Sequence, residues 1–200
     1  MSQRKDLLYM IIETNEQTEK GFARSVLDWL DSVIVSLFIV IIAFTFLFSI
    51  VGVIGPSMEN TLFEGNKLVI SNFLYTPKNG DIVIISRNYD NLESDDAKNA
   101  FEEPIVKRVI AVAGQKLKIC DGEVYVDGVK LKENYITSPT ENRDFPTTEQ
   151  TVPDGHIFVM GDNRYVSHDS RSSNIGMVDT RYVMGKVLFR FYPFSKFEIF

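Results

Sequence analysis

Ser57 and Lys107 are the residues of this chain whose types could do chemistry together. Ser57 lies in Gly55-Pro56-Ser57-Met58-Glu59-Asn60-Thr61-Leu62, and Lys107 lies in Pro104-Ile105-Val106-Lys107-Arg108-Val109-Ile110-Ala111. A serine hydroxyl is a poor nucleophile until a neighbouring base takes its proton. Strand alternation puts Ile105, Lys107 and Val109 on one face and Val106, Arg108 and Ile110 on the other. A lysine between two β-branched residues of its own face is placed for desolvation, which disfavours the ammonium and makes the amine a usable base near neutrality. Each residue alone also has an ordinary reading, Ser57 as a turn residue and Lys107 as an edge-strand or snorkelling cation. A third segment, Gly161-Asp162-Asn163-Arg164-Tyr165-Val166-Ser167-His168-Asp169-Ser170-Arg171, reads as a structured loop between two strand-like runs. Within it Asp169 and Arg171 are candidates for an ion pair that fixes Ser167. The chain has only two histidines, His156 and His168. His168 adjoins Asp169 in sequence, so the two side chains point apart and a Ser-His-Asp triad is disfavoured. No H-E-x-x-H spacing occurs, and one cysteine with two separated histidines makes no zinc site, so neither metal nor cofactor is expected.

The elements around these residues divide the chain in two. Val33 to Ile54 carries no charged residue, and its polar breaks are Ser36, Thr45, Ser49 and Gly52. As a helix this stretch would be about 33 Å long, enough to cross a bilayer with some tilt. More than thirty residues precede it and the run is long, so it reads as an anchor rather than a removable leader. Arg4, Lys5, Lys20 and Arg24 come before it, and Lys67 is the nearest cation after it. Counting Lys and Arg, this bias places the N-terminus in the cytoplasm and the C-terminal part outside. Leu7, Leu8, Met10, Ile11 and Ile12 fit either a short interfacial helix or a tail.

Beyond Gly55 the texture is that of strands: 67–70, 81–85, 105–112 and 187–192. Asp121-Gly122 and Asp127-Gly128 are hairpin-turn dipeptides flanking Glu123-Val124-Tyr125-Val126, so a β-ribbon is expected there. The acidic stretch Asn88 to Glu103 has no EF-hand spacing and reads as a solvated loop, and Ser138 to Pro153 as a surface wrap. The net charge of −6 argues against a nucleic-acid partner, since phosphate binding needs a basic surface. The single Cys120 forms no intramolecular disulfide, so the fold relies on its own core.

Taken together, the three segments resemble the bacterial type I signal peptidases. The family's nucleophile motif, Ser-Met-x-Pro-Thr-Leu immediately after the anchor, is met by Ser57-Met58-Glu59-Asn60-Thr61-Leu62. Gly80-Asp81-Ile82-Val83 matches its second motif, and Lys107-Arg108-Val109-Ile110 with Gly114 matches its base motif. The loop motif is matched at every fixed position from Gly161 to Arg171, and Gly185 to Phe194 is also family-like. Asn60 stands where the family usually has Pro, which removes a φ constraint. Ala113 and Gln115 replace the usual Pro and Asp around Gly114. Eukaryotic relatives carry His where this chain has Lys107, and the single span with a short segment between Lys107 and Gly161 resembles the compact Gram-positive-type enzymes.

The resemblance implies a mainly β fold: an N-terminal transmembrane helix, then an antiparallel β-sheet catalytic domain with an inserted β-ribbon. The expected organisation is a cytoplasmic tail over 1–32, an anchor over 33–54 and an extracytoplasmic peptidase domain over 55–200. The catalytic core would be 55–113 and 153–200, with the ribbon insertion about 114–152. It implies a membrane-bound serine endopeptidase that removes signal peptides after small residues at −1 and −3, with the bilayer and exported preproteins as partners and self-association left open. Ser57 would be the nucleophile and Lys107 the general base. Ser167 would orient the lysine, with Asp169 and Arg171 as a structural pair behind it. The Ser57 backbone N–H, with Gly55 as a second candidate, would hold the oxyanion. Ile54, Val69 and Ile84 are candidate pocket residues. Leu62, Phe63 and Phe73 fit either the membrane interface or the core. Two rivals stand beside this reading. A self-cleaving Ser-Lys protease of the repressor type would carry a DNA-binding domain and no span. A non-catalytic membrane-tethered assembly factor of the same family would have lost its nucleophile or base.

Overall fold

The computed structural model describes residues 25–27, 29–86 and 104–200. The basic residues before the span, the candidate interfacial segment 7–12 and the whole acidic stretch Asn88 to Glu103 lie outside that set. The chain divides into two compact units, one ending at Phe46 and the other running from Leu47 to Phe200.

The described residues of the first unit belong to the helix α1, Ser25–Leu47, whose apolar side chains are exposed along its length. Its polar breaks are absorbed locally. Ser36 Oγ donates to Ser32 O at 2.7 Å and Thr45 Oγ1 to Ile41 O at 2.8 Å, so neither hydroxyl presents an unbonded donor. These bounds correct the expected span of 33–54. The helix begins earlier and stops at Leu47, and Ser49–Gly52 is strand β1. Hydropathy does not distinguish an apolar helix from an apolar strand, and Ile50, Val51, Val53 and Ile54 are β-branched residues broken by Gly52.

The second unit is built on antiparallel strands. After β1 come β2 (Lys67–Ser71), β3 (Ile82–Ile85), β4 (Ile105–Val112), β5 (Lys116–Cys120), β6 (Glu123–Val126) and β7 (Val129–Lys130). Then follow β8 (Gln150–Thr151), β9 (His156–Met160), β10 (Val178–Asp179), β11 (Val183–Tyr192) and β12 (Glu198–Ile199). The larger, eight-stranded sheet has the order β1-β2-β11-β3-β4-β9-β10, with β12 on β11. The four-stranded sheet has the order β7-β6-β5-β8 and contains the two expected hairpins. Asp121 and Gly122 have φ of 52° and 80°, and Asp127 and Gly128 have 52° and 76°. Both central residues thus take the positive φ that a type I′ turn requires, which is why Asp-Gly is selected there.

Strand β3 shows how the large sheet is sandwiched. All four of its residues are buried. Ile82 and Ile84 join Met58, Leu62, Leu68 and Val187 on one side, while Val83 and Ile85 join Val109, Val159 and Val178 on the other. Burial of side chains of this size contributes about 1.5–3 kcal/mol each, so the sheet that carries Lys107 is a rigid platform. A third cluster, including Ile110, Leu117, Ile119, Phe145 and Phe158, cements the small sheet to β4 and β9.

Candidate active site

Ser57 is held from both sides in sequence. The Met58 side chain is 1% exposed in the core beside β3, and Leu62, fully buried, closes the same turn through Leu62 N to Met58 O at 2.8 Å. The Ser57 carbonyl accepts from Asn163 N at 3.1 Å. Farther along the turn, Arg190 on β11 donates to Thr61 O at 2.8 Å. The half-buried hydroxyl of Ser57 therefore projects from a backbone that has little freedom to move.

Lys107 comes from the middle of the large sheet, where the register sets it opposite Val83. It is 3% exposed. Its Nζ donates to Ser57 Oγ at 3.0 Å and to its neighbour's carbonyl, Val106 O, also at 3.0 Å. Burial pushes the amine down from its ordinary value of 10.5 to about 8, against the opposing pull of the Asp169 and Asp162 charges. Roughly a tenth of it is then neutral at pH 7, and in that form it accepts the serine proton instead of donating to the oxygen.

The loop from Gly161 to Arg171 supplies the anionic side. Gly161 N donates to Ser167 Oγ and to Asp169 Oδ2, both at 3.1 Å. A Cβ on Gly161 would sit 2.2 Å from Ser167 Oγ and 2.3 Å from Ser57 O, so only glycine fits where loop and nucleophile meet. Arg171 grips Asp169 bidentately, Nε to Oδ1 at 2.8 Å and Nη2 to Oδ2 at 2.9 Å, with both side chains fully buried. Burial pushes the Asp169 carboxyl up, but Arg171, Ser167 and the Gly161 amide outweigh it and hold the group below the usual carboxylate range. The expected pair thus forms. Ser167, fully buried, spends its hydroxyl on Gly161 and Asp169, while the lysine's own bonds run to Ser57 and Val106. His168 is exposed where Asp169 is buried, as their adjacency required.

A second ion pair, to which the sequence reading assigns no role, joins the base strand to the loop. Arg108 donates Nε to Asp162 Oδ1 at 2.8 Å and Nη2 to Oδ2 at 2.6 Å, and Thr61 Oγ1 donates to the same carboxylate at 2.5 Å. Arg108 also reaches Gly80 O at 2.9 Å. Alternation sends Arg108 to the face opposite Lys107, and a cation on a packed face needs a buried acid.

Of the candidate pocket residues, Ile54 is 68% exposed and Val69 half-buried, whereas Ile84 is core. Leu62 is core too, while Phe63 and Phe73 are exposed. A cleft of about 530 Å³ bordered by Tyr75, Pro77, His156 and Arg181 contains neither Ser57 nor Lys107.

The family model described as signal peptidase, peptidase S26, matches residues 26–192. The chain belongs to this family. It is 32% identical over 193 residues to signal peptidase IB of Staphylococcus aureus, covering 88% of this chain and 94% of the relative. It is 31% identical over 191 residues to signal peptidase I of Bacillus licheniformis, covering 90% and 96%. A crystal structure of a signal peptidase I from Enterococcus faecalis aligns at 26% identity with a TM-score of 0.41, covering 56% of this chain and 97% of that one. Membership of the signal peptidase family makes the chain a peptidase of signal-peptide-bearing substrates, and the apolar helix near its N-terminus fits a membrane anchor.

Proposed function

We propose that this chain is a membrane-bound serine endopeptidase that removes signal peptides after small residues at −1 and −3, with Ser57 as nucleophile and Lys107 as general base. The observation that carries the reading is the 3.0 Å contact between Lys107 Nζ and Ser57 Oγ at a lysine that is 3% exposed and, among the described residues, touches no carboxylate. Neutral Lys107 takes the Ser57 proton as Oγ attacks the carbonyl carbon of the −1 residue. The oxyanion so formed is held by the Ser57 N–H, with the Gly55 region as the second donor. The ammonium then gives its proton to the departing amine, leaving the leader as an ester on Ser57. Lys107, neutral again, deprotonates a water that attacks this ester, and its ammonium returns that proton to Ser57 Oγ as the ester bond breaks and the leader leaves. Asp169, pinned by Arg171, and Ser167 support this cycle through Gly161. In this reading α1 is the anchor, the residues before it are cytoplasmic, and the β unit works outside as the peptidase domain. Its catalytic core is then the large sheet, and the small sheet within 114–152 is the insertion.

The test is cleavage of a synthetic leader with Ala at −3 and −1 by the full chain in detergent, beside Ser57→Ala and Lys107→Ala. Cutting on the carboxyl side of the −1 Ala, lost in both variants, is expected. Cutting retained by either variant overturns the dyad. An inactive parent chain would favour the non-catalytic tether.

A further inference from the structure

The polar segment 131–145, which returns from the small sheet, meets both halves of the site. On the nucleophile side, Asn60 adopts φ 84°, a value closed to the proline usual at this motif position. Its Nδ2 lies 3.4 Å from both Tyr135 O and Thr137 Oγ1. The Tyr135 ring lies 4.0 Å from the Arg108 guanidinium that holds Asp162. On the loop side, Arg143 donates Nη1 to Ser167 O at 2.5 Å and Nη2 to Tyr165 O at 2.9 Å and Arg164 O at 3.3 Å. Arg143 does so from a φ of 53°, a conformation uncommon for a residue with a Cβ. Three loop carbonyls, of which Arg164 O also accepts from Arg171, therefore accept from one guanidinium. The segment is also tied down by charge, through the buried pair of Glu133 with Arg164. A segment that merely wrapped the surface would need none of these contacts.

From Arg143 a continuous path leads to the nucleophile. Arg143 holds Ser167 O, Ser167 N donates to Asn163 O at 3.0 Å, and Asn163 N donates to Ser57 O at 3.1 Å. We infer that segment 131–145 is a strap that sets the Ser57 turn and the Gly161–Arg171 loop in register, with Arg143 as its positioning residue. The inference rests on the reading of Ser57 and Lys107 as the working pair. Loosening the loop admits water beside Lys107 and relieves the burial that depresses its basicity.

The decisive variant is Arg143→Gly, because glycine keeps the left-handed backbone without strain while deleting the guanidinium. In the full chain in detergent, with the Ala-x-Ala leader, kcat is expected to fall about tenfold with KM nearly unchanged, as for an interaction that acts on geometry rather than on binding. The pH at which kcat/KM reaches half its plateau should move up, and Arg143→Lys should restore part of kcat. If Arg143→Gly fails to fold, Arg143→Lys carries the test, with an intermediate loss and the same direction of pH shift. Wild-type kcat and an unmoved pH profile in a folded variant overturn the strap, as does a change confined to KM. No cleavage by the parent chain would instead remove the dyad reading, and the strap with it.

Discussion

Lys107 on β4 and Arg171 in the loop are equally deep, at 3% and 1% exposed, yet they live in opposite electrostatic conditions. Arg171 has a carboxylate in bidentate contact, so its charge is matched where it stands. Lys107 has a hydroxyl and a carbonyl, both neutral, and feels Asp169 and Asp162 only at longer range. The matched cation is part of the scaffold. The unmatched one is poised to lose its proton, which is the property a base needs. One loop thus does two things with a single acid. Asp169 neutralises Arg171 by contact, and from a distance it keeps Lys107 from becoming too weak a base.

The comparison breaks most sharply if Lys107 is replaced by a cation that stays protonated. Lys107→Arg should lower kcat about a thousand- to ten-thousand-fold in leader cleavage, as does removal of a base from comparable hydrolytic sites. Recovery of activity at high pH in that variant would mean that something other than this side chain takes the proton. Asp169→Asn should act mainly on stability, by about 3–5 kcal/mol in chemical denaturation, because it leaves Arg171 buried beside a neutral amide. A loss below about 1 kcal/mol would show that the pair is not matched as the geometry indicates.

A third test concerns the cost of the unmatched charge. Lowering the Lys107 value from 10.5 to about 8 corresponds to about 3 kcal/mol against folding while both states are protonated. That cost is full below pH 8. It fades as pH rises toward 10.5, where the folded amine is neutral and the unfolded one still charged. The stability of the parent chain relative to Lys107→Met should therefore rise across this window, with Lys107→Met the more stable protein at pH 7. Denaturant midpoints of the two proteins at pH 7 and pH 10 decide it. A constant difference would mean that Lys107 titrates as if exposed.

The parts legible in sequence were those with a local cause. Strands β2, β3, β4 and β6 were readable because β-branched residues alternate or run together between turn formers, and the two Asp-Gly turns because few dipeptides accept two positive φ values in succession. The end of α1 was not readable, since apolar β-branched residues satisfy either structure and β1 exists only by pairing with β2, Ser49 against Ile70. The two-residue strands β7, β8, β10 and β12 lie below any periodicity. Ser57, Lys107 and the loop stood out through motif order. The links that hold them in place did not, because Arg108 with Asp162 and Arg143 with Ser167 are long-range contacts without local signature.

The smallest expected effect separates the two roles of the loop most finely. The activity of a dyad working through a neutral amine rises with pH, so kcat/KM should climb through a midpoint near pH 8, where Lys107 gives up its proton. Asp169 opposes this loss by stabilising the ammonium. In Asp169→Asn that stabilisation is gone, so whatever activity remains should reach its plateau at lower pH than in the parent chain. The shift should be modest, because burial outweighs both aspartates in setting the lysine. Its direction is opposite to that expected for Arg143→Gly, where water rather than charge is the agent. Profiles of kcat/KM from pH 6 to 10 for the three proteins distinguish these causes. A midpoint moving up in both variants would mean that Asp169 acts on Lys107 by keeping the loop closed, and not through its charge.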